Sequence, residues 1–173
     1  MLTSTYLLSQ FFAMINYATL IISYQIKDKK KILIYSSIGC TFSAISFYLL
    51  NAYSGCAMAL LAVLRNILFM IDKKYNRRRN IYTLSFVLIA LIFRAFLTYD
   101  GLLSLLPVIA TLFYTLSVWA DDINIYKELG VPTEVFWLSY HIYLKSIVGI
   151  IFESLLFISV VVSLIKFRKH KRK

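Results

Sequence analysis

Twenty-six residues pass before the first charge. Residues 1–26 contain no Lys, Arg, Asp or Glu, and the stretch closes on Lys27-Asp28-Lys29-Lys30-Lys31. A helix needs about 20 mainly apolar residues to cross a bilayer. An uncharged run of this length, ended by a charge cluster that lipid will not accept, is therefore the mark of a membrane helix. The rest of the chain repeats the pattern. Of its 173 residues 60% are hydrophobic and 16% charged, whereas a soluble domain is about 45–50% apolar and about 25% charged. Seven spans would use about 140 residues, so the chain reads as a single transmembrane domain, residues 1–173, with no room for a soluble one. The first stretch lacks the charged start of a secretory signal and reads as a retained first helix.

The breakers place the spans. The first helix is expected at about 6–26 and the second at about 32–51, ending in the turn Asn51-Ala52-Tyr53-Ser54-Gly55. The third runs over about 55–71, ahead of the basic segment Asp72 to Arg79, and the fourth over about 81–98. Asp100-Gly101 is a turn, and the fifth helix follows at about 102–120 with Pro107 near its start. Residues 121–131 read as the longest internal loop. Residues 135–167 number 33, and as one straight helix they would span about 50 Å against a hydrocarbon core of about 30 Å. They are read as two helices, about 132–145 and 149–167, with a tight turn at Lys145-Ser146.

Charge parity supports seven spans. Lys and Arg gather on cytoplasmic loops. Lys27 to Lys31 holds four of them, Lys73 to Arg79 five and the tail at 166–173 six, while the loops at 51–55 and 99–101 hold none. Seven spans put all three clusters on one side. The N-terminus is then outside and the basic tail cytoplasmic. The segment 121–131, with Lys127 and three acids, bears little on the assignment. The net charge of +11 belongs to these membrane-flanking clusters. They suit anionic lipid headgroups, at about 1 kcal/mol per basic residue, and no folded reader of nucleic acid lies beside them.

Charges within spans are costly, about 2.5–3.5 kcal/mol on insertion scales, and so point to pairing or function. Three stand out. Arg65, with Asn66 beside it, lies about 9 Å from the inner end of the third helix. It either snorkels to the headgroups or presents a guanidinium fork to an anionic or zwitterionic solute. Glu153 matches Arg94 in depth and suits an ion pair with it; it suits equally a proton-coupling carboxylate or a counter-ion to Arg65. On the sixth helix Trp137, Tyr140 and His141 share a face by their three- and four-residue spacing, with Tyr143 nearby. That face is either an interfacial aromatic belt or a surface on which a small ring or sugar stacks. Pro107 either kinks the fifth helix or sits harmlessly in its first turn. Cys40 and Cys56 fall at different depths and read as small apolar residues, and no spacing suggests a metal or cofactor.

The seven spans divide as three, one and three. The blocks at about 6–71 and 102–167 have equal length, are offset by about 96 residues, and enter the membrane from the same side, as in parallel-repeat transporters. Four segments carry a family resemblance: Ser23-Tyr24-Gln25-Ile26 running into the basic loop, Phe47-Tyr48-Leu49-Leu50-Asn51 closing the second helix, Arg65-Asn66, and Leu105-Leu106-Pro107. Together they resemble the bacterial YgjV-type inner-membrane protein family over most of the chain, which implies a helical fold in the inner membrane. More remotely, Tyr24-Gln25 before a basic loop is similar to the Pro-Gln position of PQ-loop and SWEET-like transporters. Tyr stands in the place of the proline, and Trp119-Ala120-Asp121 occupies the matching position of the second half.

Two functions are carried forward. The first is a small-solute transporter in which two three-helix bundles alternate access to a site drawn from Tyr24, Gln25, Arg65, Asn66, Trp137, Tyr140, His141 and Glu153. The second is a non-transporting membrane protein that packs with a partner or organises anionic lipid, its polar residues turned to a neighbour. Self-association in the bilayer is left open. An enzyme is not expected, because no nucleophile–base pair, metal set or phosphate loop is visible.

Overall fold

The computed structural model describes residues 4–51, 53–75, 77, 80–97, 99, 101–143 and 147–171. Among them the regular structure is helical: α1 (Ser4–Gln25), α2 (Lys29–Leu49), α3 (Tyr53–Lys74), α4 (Ile81–Leu97), α5 (Leu105–Trp119), α6 (Ile123–Tyr143) and α7 (Ile147–Lys171). The expected turn at Lys145-Ser146 lies outside the described residues, as do Ala52, Arg78, Arg79, Asp100, Arg172 and Lys173.

Among the described residues five stretches are long and apolar enough to cross a membrane: Ser4–Gln25, Lys29–Leu49, Gly55–Lys74, Leu102–Trp119 and Gly149–Phe167. Ile81–Leu97 is a shorter apolar helix, about 25 Å long. α6 is long enough but carries Lys127, Glu128 and Glu134.

Short polar side chains start several helices by satisfying backbone N–H groups that have no intrahelical partner. Asp28 Oδ1 accepts from Lys30 N at 2.8 Å and Lys31 N at 3.5 Å at the head of α2. Asn80 Oδ1 accepts from Tyr82 N at 3.1 Å before α4, and Asp122 Oδ1 from Asn124 N at 2.8 Å before α6. The acid inside the first basic cluster thus starts the second span.

One expectation is corrected here. Residues 121–131 are not a loop: α6 begins at Ile123, well before 132, and runs through Pro132. The charges at 127 and 128 look like solvated loop in sequence, but Tyr126 and Lys127 are buried and Glu128 is exposed, as on a helix with two faces. An interior proline removes one ladder hydrogen bond, at roughly 3 kcal/mol, and α6 continues through packing on both sides. The fifth apolar stretch begins at Leu102 as expected, with its first turn wound more tightly than the rest. Leu102–Ser104 is a 3-10 turn and α5 starts at Leu105, so Pro107 falls in the first turn, where a missing N–H costs nothing.

The chain divides into two compact units, residues 1–71 and 72–173. In the first, α1 lies along α2. A Cβ on Gly39 would come within 2.5 Å of Thr19 Oγ1, 2.9 Å of Asn16 Oδ1 and 3.3 Å of the Asn16 carbonyl oxygen, so the two helices approach closely at this glycine. Phe12 and Phe42 stack at 5.7 Å, and Ser46 Oγ donates to Ser9 O at 2.8 Å. Asn66 Nδ2 donates to Ser36 Oγ at 2.9 Å, joining α3 to α2. Small residues and hydroxyls at such contacts suit a bilayer, where lipid tails leave no hydrophobic force between helices.

In the second unit α6 packs between α5 and α7. Phe113 stacks on Phe136 at 5.8 Å, and Tyr114 meets Tyr126 edge-on at 6.4 Å. α6 and α7 run antiparallel. Lys127 Nζ lies 4.7 Å from the centre of the Phe167 ring near one end of the hairpin, and His141 meets Glu153 near the other. α4 packs on α5, with Leu84, Val87 and Leu91 buried and Phe86, Ile89, Phe93 and Phe96 exposed. An exposed apolar face of that kind suits lipid. Trp119 Nε1 donates to Asn80 O at 3.3 Å, and Asn80 Nδ2 to Asp72 Oδ1 at 3.0 Å.

Candidate polar sites within the helices

Each unit buries polar and charged side chains inside its helices. In the first unit the cluster is Ser36, Arg65 and Asn66. Arg65, only 2% exposed, donates from Nε to Asn66 Oδ1 at 3.2 Å. Asn66 donates in turn to Ser36. Cys40 of α2, one turn beyond Ser36, lies in the field of Arg65. Asn66 thus uses its amide at both ends, accepting from a cation and donating to a hydroxyl, which fixes its orientation. A snorkelling arginine would stand out at the surface; this one is enclosed by protein. Tyr24 is buried at the end of α1, whereas Gln25 is exposed.

In the second unit the expected aromatic face forms. Trp137 is edge-on to Tyr140 at 6.2 Å, Trp137 stacks on His141 at 6.2 Å, and Tyr140 is edge-on to His141 at 6.1 Å. Tyr143 is exposed and stands apart from this group. His141 Nε2 lies 3.7 Å from Glu153 Oε1. That is too long for a hydrogen bond but within reach of an ion pair once the imidazole is charged. Glu153 is buried and faces protein. His141 Nδ1 is buried and has no hydrogen-bond partner among the described residues. The imidazole lies flat against Gly149 of α7, where a Cβ would overlap Nδ1 and come within 2.6 Å of Cγ.

Of the eight residues singled out in the sequence, Arg65 and Asn66 are brought together in one unit, and Trp137, Tyr140, His141 and Glu153 in the other. Arg65 and Glu153 fall in different units. Arg94 is half-buried near the end of α4. Sequence reasoning missed Ser36, Lys127 and Glu134. Lys127 and Glu134 are 2% and 4% exposed on α6, and their place fourteen and seven residues before His141 was the signal that could have found them. Among the described residues no group of three or more His, Cys, Asp or Glu is placed to hold a metal ion.

Residues 7–171 match the Imp-YgjV family model, described as bacterial inner membrane protein. No curated protein and no solved structure matches the chain.

Proposed function

The chain belongs to the YgjV family of bacterial inner membrane proteins, and on that footing we propose that it is a small-solute transporter. Two three-helix bundles, about 6–71 and 102–167, work by alternating access, with α4 linking them. All seven helices cross the bilayer, the N-terminus outside and the basic tail cytoplasmic. α6 then spans as a helix whose charges are turned to protein.

The observation that carries this reading is the burial of Arg65 in a hydrogen-bonded cluster with Asn66 and Ser36. An ionised group kept inside a membrane helix is expensive, and its usual places are solute and ion pathways. A guanidinium favours a carboxylate, which it can hold by two parallel hydrogen bonds. The aromatic face of Trp137 and Tyr140 adds a stacking surface in the second bundle. The solute class that the Arg65 cluster suits is a small anion or zwitterion. Catalysis is not part of this reading.

The alternative is a non-transporting protein that holds a partner or anionic lipid through its basic clusters. Proteoliposomes incubated with a metabolite mixture separate the two. The transporter reading expects at least one small polar solute to accumulate above protein-free vesicles, and above vesicles carrying Arg65→Lys. Uniform failure to accumulate any solute favours the alternative.

A further inference from the structure

α6 is packed differently along its two parts. The first part is enclosed as far as Glu134. Tyr126, Lys127, Gly130, Thr133 and Glu134 are buried. Tyr126 lies edge-on to Tyr114 of α5 at 6.4 Å, and Lys127 Nζ lies 4.7 Å from the centre of the Phe167 ring of α7. Beyond Glu134 none of residues 135–143 is buried. This far part meets its neighbours through ring faces, Phe136 against Phe113 at 5.8 Å and the His141 imidazole against Gly149. Among the described residues no hydrogen bond ties it to another helix. Ser139 Oγ donates to Val135 O within α6, and His141 Nε2 stands 3.7 Å from Glu153.

The change falls where three neighbouring residues soften the helix. Gly130 lacks a side chain and weakens a helix interior. Pro132 has no N–H to give to the carbonyl four residues back, and its ring crowds that carbonyl. Thr133 Oγ1 donates to Leu129 O at 2.8 Å, and such a bond back onto its own helix favours bending. Sharp bends in helices arise at proline. The chain's other proline, Pro107, sits in the first turn of α5 and interrupts no ladder.

We propose that Gly130 to Thr133 form a hinge in α6, and that residues 135–143 swing about it, carrying Trp137, Tyr140 and His141 toward and away from α7. The contact of His141 with Gly149 is the closed position. Ring faces part and rejoin without breaking a hydrogen bond, whereas movement of the first part would have to unseat Lys127 from Phe167. Ile142 lies ten residues beyond Pro132, on an arm of about 15 Å. A swing of about 20°, the size at which proline kinks begin, moves it about 5 Å. Use of the swing to admit a solute rests on the transporter reading above; the swing itself does not.

Distances between spin labels test the hinge by pulsed electron paramagnetic resonance. The full-length protein is placed in lipid nanodiscs without solute, in a background of Cys40→Ala and Cys56→Ala. The labels go on exposed positions. Ile142→Cys with Ile158→Cys of α7 reads the far part of α6, and Glu128→Cys with Ile158→Cys reads the first part. The far pair should give a distance distribution about 5 Å wider than the near pair, or two peaks that far apart. Pro132→Ala should reduce it to one narrow peak. Thr133→Val, which keeps the side chain's shape and removes its hydroxyl, should narrow it partway. Equal widths for the two pairs would overturn the hinge, and so would a far distribution that neither substitution narrows. A wide far distribution in a protein that accumulates no solute would retain the hinge and remove the transporter reading. Undiminished uptake by Pro132→Ala would overturn the use of the hinge by the solute.

Discussion

His141 on α6 and Glu153 on α7 meet at 3.7 Å because Gly149, one turn before Glu153, has no side chain to keep the imidazole off the α7 backbone. One glycine therefore sets the position of the ring on which both the aromatic cluster and the contact with Glu153 depend.

Gly149→Ala should push the imidazole away from Glu153. Overpacking at a tight contact costs about 1–3 kcal/mol, so the variant should melt at lower temperature in detergent. A variant with wild-type melting would show that the ring does not need this approach.

Asn66→Ala should destabilise the first unit. It removes the donor to Ser36 and the acceptor for Arg65 Nε together. Interhelical hydrogen bonds in membranes are worth about 0.6 kcal/mol on average and up to about 1.7 kcal/mol. The loss of a cation's partner puts the expected effect at the upper end. Reversible unfolding in mixed micelles measures it, and an unchanged free energy would mean that Arg65 finds equal partners elsewhere.

Gly39→Val should separate α1 from α2. The added side chain would meet Asn16, whose carbonyl oxygen is backbone and cannot swing aside. Trypsin sensitivity at the Lys27–Lys31 segment reports on that separation in nanodiscs and should rise; equal digestion of both proteins would place the α1–α2 hold elsewhere.

The helices were legible where lipid imposes its own pattern. The mainly apolar runs marked α1 to α3, α4 and α7 to within a few residues, because a bilayer tolerates few charges. α6 was obscured. Its charged first half resembles a loop by composition, and only packing against α5 and α7 makes a helix containing Lys127, Glu134 and Pro132 stable. The polar residues followed the same division. Arg65 and Asn66 stood out against an apolar background, and the aromatic face of Trp137, Tyr140 and His141 could be read from its spacing. The pairing of His141 with Glu153 could not, since it depends on how α7 returns along α6. Ser36 was invisible because serine is common in membrane helices and only its bond to Asn66 distinguishes it.

The orientation can be tested independently. A reporter fused after Lys173 should be cytoplasmic. In a background of Cys40→Ala and Cys56→Ala, Ser54→Cys should react with an impermeant thiol reagent from outside intact cells. Labelling at Ser54→Cys only after lysis, or an external reporter, would reverse the assignment.

The most direct measurement of the central claim is solute accumulation by wild type and Arg65→Lys, reconstituted at matched protein levels and exposed to the same metabolite mixture. Lysine keeps the charge and the length needed to reach a headgroup but not the planar fork. If Arg65 holds the solute, the wild type accumulates a small anion or zwitterion and Arg65→Lys loses most of that uptake while expressing normally. Equal uptake by the two proteins would contradict the account and reduce Arg65 to a structural charge.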